Sequence, residues 1–469
     1  MSKRAKGVEI SPLEIARQKD IVLEMRATIT QKPAYAMVLT YGCQQNEADS
    51  ETIRGYLRDM GYAFTQEEKQ ADIIVINTCT VRESAANRVW GNLGALSHLK
   101  RENPNRLIVL CGCMAAQEET SQRIQKSFPQ VDLLFSPHSL WQFPGLLQEV
   151  ITTGKPVFSN PDSPGVIAED LPNDRIEGPA AWLSIMYGCN NFCSYCIVPH
   201  VRGRERSRDP QRILEDIQRL LAQGVKDITL LGQNVNSYGA DLDAGQDFSW
   251  LLTEINALPG DFLVRFMTSH PKDAGERLFA TMAACPKVAQ HIHLPVQAGN
   301  TRVLEAMNRG YTKEGYIALI ENARRHMPGV VVTGDVIVGF PGETEAEFED
   351  TLDVLEQCQF DALFTFIFSP RKGTPAAQMP DPVHRQEKQV WFDRLLALQN
   401  EISLKKHEAY VGKTLRLLVE AEENGFLKAR TNGGRLVRLE GDISHIGQFV
   451  QGEITSAATW SLSGKILKG

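Results

Sequence analysis

Three cysteines in the middle of the chain have the spacing of an iron–sulfur ligand set. Cys189, Cys193 and Cys196 follow the pattern C-x3-C-x2-C within one short loop. Three such thiolates can bind three irons of a [4Fe–4S] cube and leave the fourth iron without a protein ligand. Two alternatives stay open: a zinc site, for which His200 is the nearest fourth ligand, and a buried trio that only fills space. An iron without a protein ligand is open to a small molecule that chelates it.

Three further cysteines, Cys43, Cys79 and Cys113, each follow an apolar run and precede helix-forming sequence. The predicted strands with their helices are 36–43 with 46–60, 73–79 with 82–100, and 107–113 with 115–128. This alternation predicts a buried parallel sheet, in which ligands bind beyond the carboxyl ends of the strands. We therefore expect a second three-thiolate site there, although any one of these cysteines alone would suit a small core residue.

The remaining cysteines are predicted to be core residues. Cys111 lies two residues before Cys113 but deeper in the apolar run, so we expect Cys113 to be the ligand and Cys111 to pack. Cys285 and Cys358 lie on helical sequence without partners at metal-binding spacing.

Composition and charge exclude several classes of protein. The 469 residues are 42% hydrophobic and 23% charged, with no apolar run long enough to span a membrane. The charged N-terminus does not resemble a signal peptide, and nine cysteines without one indicate reduced thiols in the cytoplasm. A net charge of −7 argues against a general nucleic-acid coat protein, although residues 401–469 hold ten Lys and Arg against eight Asp and Glu.

The order of predicted elements indicates an α/β fold in several domains. We expect a flexible tail over 1–34 with at most a loose helix at 13–26, a parallel α/β domain over 35–155 and a linker over 156–178. Residues 179–409 read as a partial (β/α)6 barrel ending in a long helix, and 410–469 as a small β-barrel. The barrel strands are predicted at 183–186, 228–231, 263–267, 291–294, 330–338 and 362–368.

The loop cysteines give the chain a resemblance to the radical S-adenosylmethionine (SAM) superfamily. The whole chain after the N-terminal tail resembles one family of this superfamily, the bacterial MiaB-type tRNA methylthiotransferases. The motifs that carry this resemblance are Thr40–Glu51, Asn77–Ala85, Gly112–Ala115, Tyr195–Glu205, Leu230–Gly239, Val336–Thr344 and Phe366–Pro375. The C-terminal segment, with Gly447–Val450 and Ser461–Gly464, resembles the RNA-binding TRAM domain.

This resemblance implies the cofactors and the reaction. Cys189, Cys193 and Cys196 would hold the cluster that cleaves SAM, and Cys43, Cys79 and Cys113 an auxiliary [4Fe–4S] cluster that carries the sulfur. Two SAM molecules per turnover would add a methylthio group to C2 of N6-isopentenyladenosine at position 37, next to the tRNA anticodon. We hypothesise that both clusters open into one cavity. A radical is needed because no positioned base removes the non-acidic C2–H proton usefully at neutral pH.

The resemblance also implies partners: a tRNA anticodon stem-loop carrying isopentenyladenosine, a low-potential electron donor and a sulfur or Fe–S donor protein. We expect a cytoplasmic monomer without a membrane partner.

Polar residues at the predicted strand ends are candidate SAM contacts. They are Gln233, Asn234, Ser269, Gln297 and Asp335, and each would also suit loop capping or a structural pair. Two sites depart from the family pattern: Gln45 replaces a usual Met, and Gln297-Ala-Gly-Asn300 replaces Gln-Ser-Gly-Ser.

Two basic surfaces are candidates for binding RNA. Arg202, Arg204, Arg206 and Arg208 alternate after the cysteine loop, and they could clamp phosphates or pair with local carboxylates. The second surface lies on the C-terminal barrel and comprises Lys413, Arg416, Lys428, Arg430, Arg435 and Arg438.

Two other functions remain open from the sequence. One is a methylthiotransferase that modifies an aspartate of a ribosomal protein, which shares this domain plan. The other is a non-catalytic Fe–S protein that binds RNA or transfers electrons. Detection of 5′-deoxyadenosine as a product of SAM cleavage would exclude the second.

Overall fold

A computed structural model describes residues 8–29, 33–80, 83–160, 165–175, 177–242 and 245–467. The chain folds into two compact units. The first comprises Met1–Ile176, Tyr187–Asn190 and Ile197–Arg206, and the second comprises Glu177–Met186, Asn191–Cys196 and Ser207–Gly469. Arg82, where one predicted helix begins, and residues 161–164 and 176 of the predicted linker lie outside the described residues.

The first unit is a parallel sheet with helices on both faces. Its elements are β1 (Val8–Glu9), α1 (Pro12–Ile29), β2 (Tyr35–Thr40), α2 (Gln44–Asp59), β3 (Ala63–Phe64), β4 (Ile73–Thr78), α3 (Glu83–Glu102), β5 (Leu107–Gly112), α4 (Glu118–Ser127), β6 (Leu133–Phe135), α5 (Phe143–Thr153), β7 (Val157–Ser159) and β8 (Val166–Ile167). Six strands are ordered β3-β2-β4-β5-β6-β7. The predicted parallel α/β domain is confirmed.

Strand β4 shows why these apolar runs form a buried sheet. Successive side chains point to opposite faces, so Ile73 and Val75 pack into one core while Ile74 and Ile76 pack into the other. All four side chains are fully buried. A strand covered on both sides reads as a continuous apolar run, as Ile73–Ile76 of β4 does.

Helix α1 differs from the predicted flexible tail. Its residues Val22 and Met25 are buried, and the side-chain oxygen of Gln18 accepts a hydrogen bond from the amide of Gly145 at 3.0 Å. The expectation of a tail is therefore wrong for Pro12–Ile29. Weak apolar periodicity in the sequence concealed the buried stripe.

The first sheet also extends into the predicted linker. Strand β7 pairs with β6 over three residue pairs, the first of which is Val157 with Leu133. Strand β8 pairs with β1. Short edge strands carry little periodic signal, because two or three residues cannot show alternation clearly.

The second unit begins with β9 (Ala180–Ser184) and contains two parallel three-stranded sheets. Between β9 and the next long helix lie β10 (Met186–Tyr187), α6 (Val198–Val201), which belongs to the first unit, and β11 (Arg206–Ser207). The following elements are α7 (Pro210–Ala222), β12 (Asp227–Leu231), α8 (Phe248–Ala257), β13 (Leu263–Phe266), α9 (Glu276–Ala284), β14 (His291–His293), α10 (Thr301–Ala306), α11 (Lys313–His326), β15 (Val331–Val338), α12 (Glu345–Cys358), β16 (Ala362–Ile367) and α13 (Arg385–Glu408).

These six strands follow the order of the chain. The sheets are ordered β9-β12-β13 and β14-β15-β16, and a single parallel bridge joins Val264 of β13 to Val288 ahead of β14. One apolar core includes residues of all six strands and of helices α7 to α9 and α11 to α13. This is the predicted partial (β/α)6 barrel, with the strand ends available for a site.

The last part of the chain is a closed five-stranded barrel. Its strands β17 (Thr414–Glu423), β18 (Phe426–Thr431), β19 (Leu436–Glu440), β20 (Phe449–Ala457) and β21 (Leu462–Ile466) are ordered β17-β18-β19-β21-β20. Closure leaves no free edge, which a sheet this small would otherwise expose. Within the described part of the chain, no helix combines the length and apolar character needed to cross a membrane.

Candidate active site

The first cysteine trio lies where three adjacent strands end. Cys43 directly precedes α2, Cys79 follows β4 and Cys113 follows β5, and β2, β4 and β5 are neighbours in the sheet. Gly42, at φ +137°, allows a close approach, because a Cβ there would overlap the Cβ of Cys79 and lie 3.1 Å from its Sγ. The strand ends therefore bring together a trio that is widely separated in sequence.

A buried amide network fixes the backbone around this trio. The Oδ1 of Asn46 accepts a hydrogen bond from Cys43 Sγ at 3.3 Å, and its Nδ2 donates to Asn77 Oδ1 at 3.0 Å and to the carbonyl of Thr78 at 2.7 Å. The amide of Cys113 donates to the same Thr78 carbonyl at 2.9 Å. One asparagine thus links all three strand ends, a role that the sequence analysis missed.

Arg202 lies at the same trio and is not exposed to RNA. Its Nη2 donates to Asp49 Oδ2 at 2.8 Å, and both residues are buried. Burial raises the pKa of the Cys113 thiol to about 11, and the positive charge of Arg202 opposes this rise. The prediction that Arg202 clamps phosphate is wrong, because its charge is already paired in the interior.

Cys111 and Cys113 occupy different surroundings. Cys111 packs in the apolar core with Val75 and Val109. Cys113 instead contacts Ile197 and Val201 and follows the end of β5, next to the strand end of β4 that carries Cys79. This geometry supports Cys113 as the ligand. Cys285 and Cys358 are buried in the core of the second unit.

The second trio lies on the loop after β10. The amide of Cys189 donates to the carbonyl of Gly203 at 3.1 Å. The amide of Cys196 donates to the carbonyl of Cys193 at 2.9 Å in a tight turn. The Nδ2 of Asn308 donates to the carbonyls of Asn191 and Phe192, which holds this part of the loop.

Arg309 is a second site residue that the sequence analysis missed. It is only 4% exposed, and its Nη1 donates to Cys193 Sγ at 3.3 Å. The other hydrogen bonds of its guanidinium go to the carbonyl of Pro295 at 2.7 Å and to the hydroxyls of Tyr311 and Tyr195 at 2.9 and 3.4 Å. Arginine is a common core or surface residue, so the position carried no distinguishing signal.

The donor chemistry of both trios fits iron–sulfur clusters, because three thiolates can each bind a different iron of one cube. Soft sulfur donors with adjacent N–H donors are the surroundings that such clusters use.

The strand ends of the second unit contain buried polar atoms that find no hydrogen-bond partner among the described residues. They are Asn234 Oδ1, Asn236 Oδ1 and Nδ2, Ser269 Oγ, His270 Nε2 and Gln297 Oε1. Buried polar atoms are rarely left unpaired, so this cluster fits a polar ligand such as SAM. Three of the predicted contacts, Asn234, Ser269 and Gln297, belong to it.

His270 is a further polar neighbour that the sequence analysis did not select. Burial, together with the charges of Arg309 and Lys272, lowers its pKa to about 2, so its ring is neutral at physiological pH. Gln233 is half-buried after β12. Asp335 is also half-buried and lies 3.5 Å from His293 Nε2, which supports the structural alternative for this carboxylate.

In the sheet of β14, β15 and β16, the face opposite the helices is open and carries aromatic side chains. Phe364 and Phe366 of β16 are 50% and 43% exposed, whereas Leu363 on the other face is buried in the core. Asp335 is the register partner of Phe364, and the rings of His293 and Phe364 lie 5.9 Å apart. Exposed aromatic rings beside polar groups can stack a planar base.

The other arginines of the first basic surface have different roles. Arg206 is buried and donates to the carbonyl of Val166 at 3.0 Å, and Arg208 is buried with its Nη2 2.7 Å from Asp216. Pairing with a local carboxylate, the second of the two alternatives, holds for Arg208, whereas Arg206 donates to backbone carbonyls. Arg204 is exposed.

Basic side chains on the C-terminal barrel are partly structural. Arg435 is buried against Asp361, so its predicted RNA contact is wrong. Arg416 and Lys428 form ion pairs with Asp261 and Glu423 at 2.5 and 2.8 Å, and Arg430 forms one with Glu420 at 2.7 Å. Lys413 and Arg438 are exposed and stay candidates for RNA binding.

Family models match three parts of the chain. Residues 35–136 match the Uncharacterized protein family UPF0004, residues 183–355 the Radical SAM superfamily and residues 408–467 the TRAM domain. Among solved structures, the radical S-adenosylmethionine methyltransferase TsrM from Kitasatospora setae is similar, with a TM-score of 0.50 and 16% identity. The match covers 73% of this chain and 75% of that one, and it supports the fold alone. Membership of the Radical SAM superfamily implies that SAM and [4Fe–4S] clusters are cofactors of this protein.

Curated relatives match over nearly the whole chain. A protein from Acetivibrio thermocellus is 46% identical over 99% of this chain and 98% of its own length. Relatives from Caldicellulosiruptor saccharolyticus and Alkaliphilus oremlandii are 48% and 45% identical, over 92% and 100% of both chains. All three are named tRNA-2-methylthio-N(6)-dimethylallyladenosine synthase, and this chain belongs to that family.

Proposed function

We propose that this protein is a transferase that adds a methylthio group to C2 of N6-isopentenyladenosine at position 37 of tRNA. The observation that carries the proposal is full-length identity of 45–48% to relatives named for that product. The presence of both cysteine trios supports it, since the reaction needs a site for SAM cleavage and a carrier for sulfur.

The chain's own residues would divide this work. Cys189, Cys193 and Cys196 would hold the cluster that binds SAM, and Cys43, Cys79 and Cys113 the auxiliary cluster. With SAM, the clusters supply a carbon radical that removes an unactivated hydrogen and a sulfur that can be transferred. The unpaired atoms of Asn234, Ser269 and Gln297 would bind polar groups of SAM, and the buried surroundings would restrict access by water.

Phe364 and Phe366 provide a surface for the target adenine. An anticodon-loop base must leave its stack to reach an enzyme site, which costs a few kcal/mol, and two exposed rings can restore part of that stacking. Basic side chains on the TRAM barrel, among them Lys413 and Arg438, would bind the RNA backbone. A low-potential electron donor, a sulfur or Fe–S donor protein, a monomeric state and a cytoplasmic location complete the proposal.

The test is nucleoside mass spectrometry on tRNA treated with the anaerobically reconstituted protein, SAM and dithionite. We expect a methylthio mass gain on isopentenyladenosine and none on unmodified adenosine. A ribosomal-protein substrate, offered in parallel, distinguishes the aspartate-modifying alternative. Modification of that protein with no gain on tRNA would contradict the proposal.

A further inference from the structure

Arg309 carries a buried positive charge that no carboxylate among the described residues balances. The residue is 4% exposed, and the hydrogen bonds of its guanidinium go to a sulfur, a carbonyl and two phenol oxygens. No Asp or Glu within the part of the chain that the structure covers forms an ion pair with it. Among other buried arginines, Arg265 pairs with Asp227 at 2.7 Å and Arg202 with Asp49 at 2.8 Å, whereas Arg106 donates to backbone carbonyls only.

A buried charge without a carboxylate partner is costly, and an anion beside it would offset part of that cost. The effective penalty of burying an ion is several kcal/mol even after relaxation. Cys193 Sγ, 3.3 Å from Arg309 Nη1, is the one hydrogen-bond acceptor of this guanidinium, among the residues described, that becomes negatively charged when it binds iron. The other acceptors of this guanidinium, the carbonyl of Pro295 and the hydroxyls of Tyr195 and Tyr311, carry no formal charge.

We propose that Arg309 is a positioning residue that balances the charge of the cluster bound by the Cys193 loop and raises its reduction potential. The inference rests on the cluster assignment in the proposed function. Reduction adds one electron from an external low-potential reductant to the cluster, without making or breaking a bond. A fixed positive charge and an N–H···S hydrogen bond both stabilise the more negative, reduced state.

The two trios should therefore differ in their response to loss of the adjacent arginine. Asp49 already neutralises Arg202 at the trio of Cys43, Cys79 and Cys113, whereas Arg309 has only the thiolate. Removal of Arg309 should shift the potential of its cluster strongly. Loss of Arg202 and Asp49 together should shift the reduction potential of the auxiliary cluster less, because the pair has no net charge.

The experiment is an EPR-monitored redox titration without SAM or tRNA. The background carries alanine at Cys43, Cys79 and Cys113, so that one cluster remains. Arg309→Gln should lower the ratio of reduced to oxidised cluster about tenfold at a fixed potential, a shift of about −59 mV for one electron. Arg309→Lys, which keeps the charge, should recover part of it. Arg106→Gln is the matched control, because Arg106 is also buried but donates to carbonyls at the other end of β5.

Each outcome decides the proposal. An iron-loaded Arg309→Gln protein with the parental midpoint overturns it. If Arg309→Gln loses iron and Arg309→Lys retains it, the charge is what the site needs and the proposal stands. If both variants lose iron, the shape of the guanidinium is what matters and the proposal falls. Because no tRNA is present, none of these outcomes depends on the methylthiolation reaction.

Discussion

At the scale of single residues, the backbone next to a thiol matters as much as the thiol. Gly42 lies at φ +137°, and the space that a Cβ would occupy there is taken by Cys79. A side chain at position 42 would strain the backbone and overlap Cys79. Neither effect can be relieved easily, since Cys79 is 1% exposed and fixed at the end of β4.

Substitution Gly42→Ala is expected to remove the auxiliary cluster. The left-handed backbone and the contact with Cys79 would displace one of the two strand ends, so iron should fall from about eight to about four per chain. Gly91→Ala in helix α3 is the control, because a Cβ added there would have no described atom within 4 Å and alanine favours a helix. Iron and sulfide analysis is the measurement; unchanged iron in Gly42→Ala would show that the close approach is dispensable.

Glu51 predicts a pH dependence of stability. Burial raises its pKa from 4.5 to about 7, so the folded state holds this proton more tightly than the unfolded state. The contribution of Glu51 to the free energy of unfolding is then greatest below pH 4.5. It falls by up to about 3 kcal/mol as the pH rises through 7. Glu51→Gln should raise the melting temperature at pH 8 and leave it unchanged at pH 5.

The exposed Glu68→Gln serves as a control and should change neither melting temperature. An equal effect of Glu51→Gln at both pH values would mean that Glu51 is ionised throughout this range.

Several site residues were predictable from residue type and spacing, and others were not. Both cysteine trios could be proposed as ligand sets because metal ligands have restricted chemistry and because three strands repeated one pattern. Asn46 and Arg309 could not, since their roles depend on what the folded chain places beside them. Alternation suggested that Arg202 and Arg206 share an exposed face, but α6 and local pairing bury both.

At the scale of elements, the C-terminal barrel is attached to the barrel sheets by buried charges. Arg435, just before β19, pairs with Asp361, just before β16. Arg265 of β13 donates to the carbonyl of Thr431 at 3.0 Å. These contacts explain why part of the basic excess of the C-terminal segment does not face solvent. Composition alone does not separate such structural cations from RNA-binding ones.

Arg435→Ala is expected to destabilise this attachment by about 3 to 5 kcal/mol, because Asp361 would remain buried with only Lys406 near it at 3.4 Å among the described cations. Arg438→Ala, close by on β19 but exposed, should change stability by less than about 0.5 kcal/mol. Denaturant unfolding with limited proteolysis of the barrel measures both. Equal stability of the two variants would contradict a structural role for Arg435.

Elements with long periodic patterns were predicted well, and short ones were not. Helices α2 and α3 begin and end within two residues of the predicted bounds 46–60 and 82–100. Strands β6 and β7 and helix α5 were missed, because short buried strands show no clear alternation. The departure at Asn300 has a local explanation, since its Oδ1 caps α10 by accepting from the amide of Arg302 at 2.9 Å, as a serine could.

At the scale of the whole molecule, an acidic chain must bind a polyanion. The net charge is −7, so RNA affinity must come from local clusters of exposed cations rather than from the overall field. Substitution of Lys413 or Arg438 by alanine should weaken tRNA binding a few fold and reduce the salt dependence of log Kd by about one charge each. Fluorescence anisotropy at several salt concentrations measures this. An unchanged slope in both variants would assign RNA binding to another surface.

The central claim is that the two cysteine trios perform separate tasks in one enzyme. The most direct measurement quantifies 5′-deoxyadenosine and methylthiolated nucleoside together, in two variants of the full chain. Alanine at Cys43, Cys79 and Cys113 should preserve SAM cleavage and abolish the methylthio product, whereas alanine at Cys189, Cys193 and Cys196 should abolish both. Methylthio product from the first variant would contradict the claim.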